Sequence, residues 1–309
     1  MRKVRVRLVQ AAPVAFDTDA TLTRFETWVE RAGQEDAQLI VFPEAYVGGY
    51  PKGMDFGARV GFRRDAGRDW FGRYHAAAIE VPGPEVERMG KAFAKVRAQG
   101  VVGVIERDGG TLYCTALYFR ADGTLQDKHR KLVPTGMERL IWGRGDGQTL
   151  KVQETPLGRV AAAICWENYM PTLRMHYYRQ GVEIYCAPTV DDRDVWSSSM
   201  RHIAVEGRCF VLSCCQFATR DDYPADYPGE IDAVAIRGGS CVVDPFGEVL
   251  AGPLYGEAGL VSAEIDVDQV VRGKYDLDVA GHYDRPDVLC LQMRGSNPPG
   301  QDASPELDD

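Results

Sequence analysis

The chain has 309 residues, a formal net charge of −9 and a hydrophobic content of 45%. This charge argues against nucleic acid or an anionic membrane as a partner, because neither attracts an acidic protein that lacks a concentrated basic face. No linker or low-complexity tract divides the chain, so we expect a single domain over residues 1–291 and a flexible tail over residues 292–309.

The eight cysteines are spread along the chain, and none has the paired spacing of a zinc site. Several lie in apolar runs; Cys214 and Cys215, for example, are predicted to belong to a buried core strand. The sequence contains neither a secretion signal nor an apolar span long enough for a membrane helix. A reducing cytoplasm therefore fits best, and we expect no disulfide framework, no metal and no cofactor.

Hydrophobic periodicity predicts helices and strands that interleave along the whole chain. In chain order, the predicted elements are a strand at residues 4–8, a helix spanning Leu22 to Ala32 and capped by Asp19 or Thr21, a strand from Leu39 to Phe42, a helix from Pro84 to Arg97, strands at Val101 to Glu106, Thr111 to Phe119, Thr149 to Gln153 and Val160 to Ile164, a helix from Pro171 to Gln180, a strand from Val182 to Ala187, a helix from Asp194 to Glu206, and a strand from Cys209 to Gln216. Two sheets packed face to face, each covered on its outside by helices, accommodate this order and the near-continuous apolar runs. A single doubly wound sheet is the alternative.

Two charged features outside these runs have simple structural interpretations. Five arginines cluster among acidic and aromatic residues, which predicts a solvated or subunit-contacting face rather than a polyanion site. They are Arg59, Arg63, Arg64, Arg68 and Arg73. We expect His202 to be a buried, hydrogen-bonded core histidine, because nothing in the spacing pairs it with a cysteine as in a protease.

Three reactive side chains stand where the chain leaves an apolar run or a turn. Glu44 follows Phe42-Pro43, Lys131 lies in a basic segment, and Cys165 ends the run from Val160. A carboxylate, an ammonium and a thiol are what acyl transfer through a thioester requires, namely a base, a cation and a nucleophile. Nearby N–H groups and a cation are expected to lower the pKa of Cys165 toward neutrality. We interpret Glu167 as a helix N-terminal carboxylate rather than a catalyst.

Taken in order, Phe-Pro-Glu at residues 42–44, the Lys131 segment and Cys165-Trp166-Glu167 resemble the nitrilase superfamily. The resemblance extends from Val4 to about Leu291. It includes residues 48–53, Pro188-Thr189, residues 201–208 and residues 281–286. The residues that follow the cysteine, Trp166, Asn168 and Pro171, resemble those of the true nitrilase branch more than those of the amidase branches.

The resemblance implies an α/β fold of four layers, αββα, in which two mixed sheets are flanked by helices. It implies that Glu44 is the general base, Lys131 the cation beside the tetrahedral intermediate, Cys165 the nucleophile and Glu138 a second carboxylate that positions substrate. An ion pair of Glu138 with Arg139 is the alternative for that residue. Subunits are expected to form dimers and larger homo-oligomers, although the short C-terminus argues against extended filaments.

The sequence also suggests residues that bind the substrate. The candidates are Tyr50, Trp142, Trp166, Pro188 and Thr189, with Trp196 as a further aromatic residue. An apolar pocket of this kind favours aromatic or bulky substrates.

The resemblance implies hydrolysis of an organic nitrile to a carboxylic acid and ammonia through a thioimidate and a thioester on Cys165, with some amide as by-product. An amidase, an N-carbamoyl hydrolase or a cyanide-converting enzyme of the same superfamily is the alternative enzyme. A catalytically idle oligomeric scaffold is the alternative outside enzymes.

Overall fold

Two β-sheets packed face to face form the centre of the protein, whose computed structural model describes residues 2–293. The first sheet has the spatial order β15 (Gly259–Asp266), β1 (Lys3–Gln10), β2 (Leu39–Val41), β5 (Gln99–Asp108), β6 (Thr111–Phe119) and β7 (Leu125–Arg130). The second sheet has the order β12 (Phe217–Thr219), β13 (Val234–Val243), β11 (Phe210–Cys215), β10 (Ile184–Thr189), β9 (Gly158–Ala162) and β8 (Gln153–Thr155), and β14 (Val249–Tyr255) pairs with β13. A separate short hairpin joins β3 (Ala58–Arg59) to β4 (Phe62–Arg63).

Alternation of side chains along each strand fills both faces of a sheet. In β2, Leu39 and Val41 point into the core between the two sheets, whereas Ile40 belongs to the cluster on the outer face. In β11, Leu212 faces the second sheet's inner side and Val211 its outer side. The sequence of a strand that is buried on both faces is therefore a nearly continuous apolar run.

Helices cover the two outer faces and complete four layers. They are α1 (Thr18–Gln34), α2 (Asp65–Ala77), α3 (Pro84–Val96), α4 (Pro171–Arg179), α5 (Asp194–Gly207) and α6 (Gln269–Asp276). Phe25 of α1 and Phe93 of α3 pack on the first sheet, while Tyr177 of α4 and Ile203 of α5 pack on the second. The order is therefore helix, sheet, sheet, helix, as expected. Among residues 2–293, no helix combines the length and apolar character needed to cross a membrane.

Most predicted elements are confirmed to within a few residues, with two local differences. The strand predicted at Thr149 to Gln153 begins only at Gln153. Asp17, rather than Asp19 or Thr21, caps α1 by accepting a hydrogen bond from the Ala20 N–H. The predicted tail falls outside the described residues from residue 294 onward.

Strand direction brings the reactive residues to one edge of the two-sheet core. β2 and β5 are parallel, and two successive antiparallel pairings make β7 run in the same direction as β5. β9 and β10 are also parallel. The carboxyl ends of parallel strands meet at one edge of a sheet, which is where sites in α/β folds form. Glu44, Lys131 and Cys165 follow the ends of β2, β7 and β9, respectively.

Candidate active site

Cys165 stands on a tight turn after β9. Its φ of +50° lies in the left-handed region, which is strained for a residue with a β-carbon, and it begins the short helical turn Cys165–Tyr169. The Asn168 amide donates to the carbonyl oxygens of Ala163 and Cys165, both at 2.8 Å. These bonds fix the turn, and hence the direction of the sulfur.

Glu44 is completely buried just beyond β2, and its backbone is held by a second buried side chain. Gln216 Nε2 donates to the Glu44 carbonyl oxygen at 2.7 Å. The next residue, Ala45, has a φ of +51°, so the chain turns sharply here as well. The Oε2 atom of Glu44 is buried and accepts no hydrogen bond from the described residues. A buried carboxylate oxygen without a partner is available to take a proton from a substrate group.

Lys131 connects two carboxylates. Its Nζ atom lies 2.6 Å from Oε1 of Glu44 and 2.9 Å from Oε2 of Glu138. Its backbone N–H donates to the Cys114 carbonyl oxygen at 2.8 Å, which continues the pairing of β6 and β7. The Cys114 thiol in turn lies 3.6 Å from Oε1 of Glu44.

Glu138 belongs to this cluster rather than to an ion pair with its neighbour. Its Oε2 atom also accepts the Thr135 N–H at 2.6 Å, and its Oε1 atom accepts the Tyr50 hydroxyl at 2.8 Å. Arg139 instead donates to the Gly136 carbonyl oxygen. Glu138 thus accepts hydrogen bonds from Lys131, Thr135 and Tyr50, which fix its position beside the ammonium.

Burial is the largest single influence on the pKa values of Glu44 and Lys131, but it decides the direction of the shift only for Glu44. Burial and the nearby Glu138 carboxylate raise the pKa of Glu44, against the opposing influence of Lys131. Burial alone would lower the pKa of Lys131, but the adjacent carboxylate of Glu44 raises it well above its ordinary value. Lys131 therefore stays protonated, while Glu44 is a stronger base than an exposed glutamate.

The prediction that the pKa of the Cys165 thiol is lowered was wrong. Burial and the charge of Glu44 raise the pKa of Cys165 above its ordinary value, and Lys131 and a hydrogen bond with Thr189 offset this only in part. The free protein thus holds a protonated thiol beside a base. A thiol acts as a nucleophile only after it has lost its proton, and the Glu44 carboxylate is in contact with the Cys165 thiol.

A cavity of about 270 Å³ opens beside Glu138, with Tyr50 and Trp142 in its wall. The two rings meet edge to face with centroids 5.9 Å apart, and Lys131 Nζ lies 5.6 Å from the centre of the Trp142 ring. Met54, Phe56 and Ile141 supply further apolar surface. This cavity offers apolar surface beside the Glu138 carboxylate, and Lys131 and Cys165 are not part of its wall.

The other substrate-binding candidates lie elsewhere. Thr189 contacts the Cys165 thiol at the end of β10, and Pro188 is buried within that strand opposite Cys214. Trp166 is 43% exposed and donates from Nε1 to Oδ2 of Asp191 at 2.8 Å. Its ring is outside the cavity of Tyr50 and Trp142.

Asp191 and Arg193 form a polar group near the thiol that sequence reasoning missed. Arg193 donates to both oxygens of Asp191, its guanidinium lies 5.0 Å from the centre of the Trp166 ring, and half of its side chain is exposed. No local pattern distinguishes these residues from an ordinary loop ion pair. Only the fold brings them to Trp166.

Glu167 lies in the first turn of the short helix Cys165–Tyr169, as predicted, and its side chain is fully buried against His129. Two further expectations need correction. His202 is exposed, with 67% of its side chain accessible and Glu206 at 3.6 Å. Trp196, a residue of α5, packs in the core between that helix and the second sheet, where its Nε1 donates to Ser213. The predictions for Cys214 and Cys215 are confirmed, since both are buried in β11, and the five clustered arginines are exposed as predicted.

The carbon-nitrogen hydrolase family matches residues 5–275 of the chain. The protein belongs to the carbon-nitrogen hydrolase family. Among relatives of this carbon-nitrogen hydrolase, an aliphatic nitrilase from Sinorhizobium fredii is 52% identical over 295 residues, covering 94% of this chain and 96% of that protein. Nitrilase 2 from Arabidopsis thaliana is 50% identical over 300 residues, covering 94% and 88%. A bifunctional nitrilase/nitrile hydratase from Lupinus angustifolius is 52% identical over 300 residues, covering 94% and 86%.

Solved structures of lower identity share the fold of this carbon-nitrogen hydrolase. Saccharomyces cerevisiae Nit3, a member of branch 10 of the nitrilase superfamily, superimposes with a TM-score of 0.72 at 24% identity, covering 91% of this chain and 96% of that one. The Caenorhabditis elegans NitFhit protein gives a TM-score of 0.75 at 19% identity, covering 94% and 67%. The αββα sandwich expected from the sequence is confirmed.

Proposed function

We propose that this carbon-nitrogen hydrolase is a nitrilase that converts an organic nitrile and two water molecules into a carboxylic acid and ammonia. The observation that carries the proposal is the buried cluster in which Lys131 joins Glu44 to Glu138 beside the Cys165 thiol. The high identity to proteins named nitrilases supports a nitrile as substrate.

The first half of the reaction uses the base and the nucleophile. Glu44 takes the proton of the Cys165 thiol as the sulfur adds to the nitrile carbon, and the nitrogen receives a proton from Lys131 or Glu44, which gives a thioimidate. The ammonium of Lys131 stabilises negative charge that develops on nitrogen, as a fixed cation in a buried site does. Each positioned proton-transfer group is worth about 10²–10⁴-fold in rate.

The second half adds water twice. Water activated by Glu44 adds to the thioimidate carbon, and the tetrahedral species expels ammonia to leave a thioester. A second water then releases the acid and returns the proton to Cys165. If the tetrahedral species loses the thiol instead, the product is an amide. We therefore expect some amide as by-product, in keeping with the relative named a bifunctional nitrilase/nitrile hydratase.

Replacement of the nucleophile tests this function. Cys165→Ala is expected to abolish ammonia release from every nitrile in a panel of aromatic, arylaliphatic and aliphatic compounds, with an unchanged circular dichroism spectrum. Cys241→Ala is the matched control, because Cys241 is equally buried but lies in β13. Turnover by Cys165→Ala would exclude the covalent mechanism. Wild-type turnover of the matching amides, but of no nitrile, would make the protein an amidase or carbamoyl hydrolase.

Self-association and cellular location belong to the same proposal. Exposed aromatic and aliphatic side chains of α6 and the segment after it, among them Val271, Tyr275 and Leu289, support a homo-oligomer. Light scattering after size-exclusion chromatography measures its mass. The cysteines within residues 2–293 are free thiols, which supports a reducing compartment such as the cytoplasm.

A further inference from the structure

A buried pair, Glu167 and His129, joins the two segments that carry the nucleophile and the cation. Both side chains are inaccessible to solvent, and His129 Nε2 lies 3.1 Å from Oε1 and 3.0 Å from Oε2 of Glu167. His129 stands two residues before Lys131, and Glu167 stands two residues after Cys165. The pair therefore spans the gap between β7 and the cysteine turn.

Glu167 also accepts one backbone N–H from each of these segments. The N–H of Leu132, next to Lys131, donates to Oε1 at 2.7 Å, and the N–H of Ile164, next to Cys165, donates to Oε2 at 2.7 Å. Each carboxylate oxygen thus holds a different segment. A shift of one segment past the other would break a short charge-assisted hydrogen bond in a buried site, where such bonds are strong.

The ionisation of this pair is consistent with its hydrogen bonds. Burial raises the pKa of Glu167, but His129 and the two backbone N–H groups lower it further than burial raises it, so the group stays a carboxylate. A carboxylate can only accept, so His129 Nε2 carries the proton between them. The opposite ring nitrogen, Nδ1, lies 3.2 Å from the Thr149 hydroxyl, which fixes the plane of the ring.

We propose that Glu167, locked by His129, is a positioning residue that sets the separation of the Cys165 sulfur and the Lys131 ammonium. A buried charged group is weak as a source of stability, because apolar residues of similar volume commonly stabilise a core as well or better. A carboxylate with two oriented oxygens specifies the geometry of two chain segments at once. The inference rests on the proposed nitrilase function, in which both groups act on the same nitrile.

Glu167→Gln is the informative variant because it keeps the shape of the side chain. It replaces one acceptor oxygen by an amide donor, which then faces a backbone N–H that is also a donor. We expect kcat on a nitrile to fall about 100-fold, as a misplacement of about 1 Å does. KM should change little, because Tyr50 and Trp142 do not contact this pair.

Glu183→Gln is the matched control. Glu183 is also a buried carboxylate that accepts a backbone N–H, from Arg159 at 2.9 Å, and a cationic side chain, from Arg2 at 2.9 Å. It lies just before β10, at the opposite end of the strand from Thr189. We expect this variant to lose thermal stability while its kcat stays at the wild-type level.

A second measurement does not depend on nitrile turnover. The rate at which iodoacetamide alkylates Cys165 should fall in Glu167→Gln and not in Glu183→Gln, since the displaced thiol loses its contact with the base. If Glu167→Gln does not fold, His129 provides the test. His129→Gln keeps an N–H donor near the position of Nε2 and should retain more activity than His129→Leu.

Two outcomes separate the inference from the proposed function. A kcat for Glu167→Gln within about threefold of wild type, together with a normal alkylation rate, would overturn the positioning role. A wild-type protein inactive on all nitriles, in which Glu167→Gln still slows alkylation, would overturn the nitrilase function and leave the positioning role in place.

Discussion

Lys131 is the cation at the centre of the cluster, and its replacement by methionine gives a prediction for stability as well as activity. Lys131→Met keeps the apolar stem and removes an ammonium that is fully buried between Glu44 and Glu138, at 2.6 and 2.9 Å. Removing one partner of a buried pair costs about 3–5 kcal/mol, because the remaining charge is left without compensation. We expect a loss of this size in the free energy of unfolding at pH 8, and complete loss of nitrile hydrolysis.

The loss should depend on pH in a defined direction. Burial and Glu138 raise the pKa of Glu44, and Lys131 opposes them, so the variant has a Glu44 pKa still further above its unfolded value. A carboxyl group with a raised folded-state pKa contributes its stability fully below the unfolded pKa and loses it as the pH rises through the folded pKa. Each additional unit of pKa is worth about 1.4 kcal/mol. The difference between wild type and variant should therefore be smaller at pH 5 than at pH 8.

Urea unfolding followed by tryptophan fluorescence at the two pH values measures this difference. Taking the difference from wild type at each pH cancels the titration of groups that the substitution does not affect. Lys95→Met is the control, because Lys95 lies on the surface 3.5 Å from Glu30 and such pairs contribute about 0–1 kcal/mol. If Lys131→Met loses no more stability than Lys95→Met, or loses the same amount at both pH values, the electrostatic reasoning is refuted.

Two further substitutions test the geometry around the base. A β-carbon at Gly103 would collide with the Pro43 carbonyl oxygen and lie 2.7 Å from the α-carbon of Glu44. Gly103→Ala should therefore lower kcat by about 100-fold. Gly110→Ala is the control, because its β-carbon meets open space, and equal kcat values for the two variants would contradict the steric argument. Tyr50→Phe removes the hydroxyl that donates to Glu138 at 2.8 Å. Because a hydrogen bond to a charged group contributes about 1.5–3 kcal/mol, the melting temperature should fall and steady-state assays should show kcat reduced about tenfold; an unchanged kcat would show that Glu138 needs no support from this ring.

The location of the reactive residues could be predicted because it depends on local patterns. One apolar run ends at Phe42, just before Pro43-Glu44, and another ends just before Cys165, and the interleaved helices predict parallel strands whose ends converge. The helical period of α5, in contrast, argues against the prediction that His202 is buried. Met200, Ile203, Ala204 and Gly207 form the buried stripe of α5, and a residue at position 202 lies off that stripe.

Other properties of the site depend on contacts between distant residues. Glu167 and His129 are 38 residues apart, so their pairing is set by how the two sheets pack. The raised pKa of Cys165 arises from burial and from Glu44, which approaches from the other sheet. The cation that was expected to activate the thiol does lie nearby, but its charge is already shared by two carboxylates. A local motif cannot predict how burial, Glu44 and Lys131 together set the pKa of Cys165.

The left-handed backbone at Cys165 has a consequence for the stability of the cysteine turn. Glycine adopts a φ of +50° freely, whereas a residue with a β-carbon pays about 1–2 kcal/mol there. Cys165→Gly would relieve this strain, but it would also remove a side chain that is packed in the core, which offsets the gain. The backbone strain is thus located at the residue whose sulfur we propose as the nucleophile.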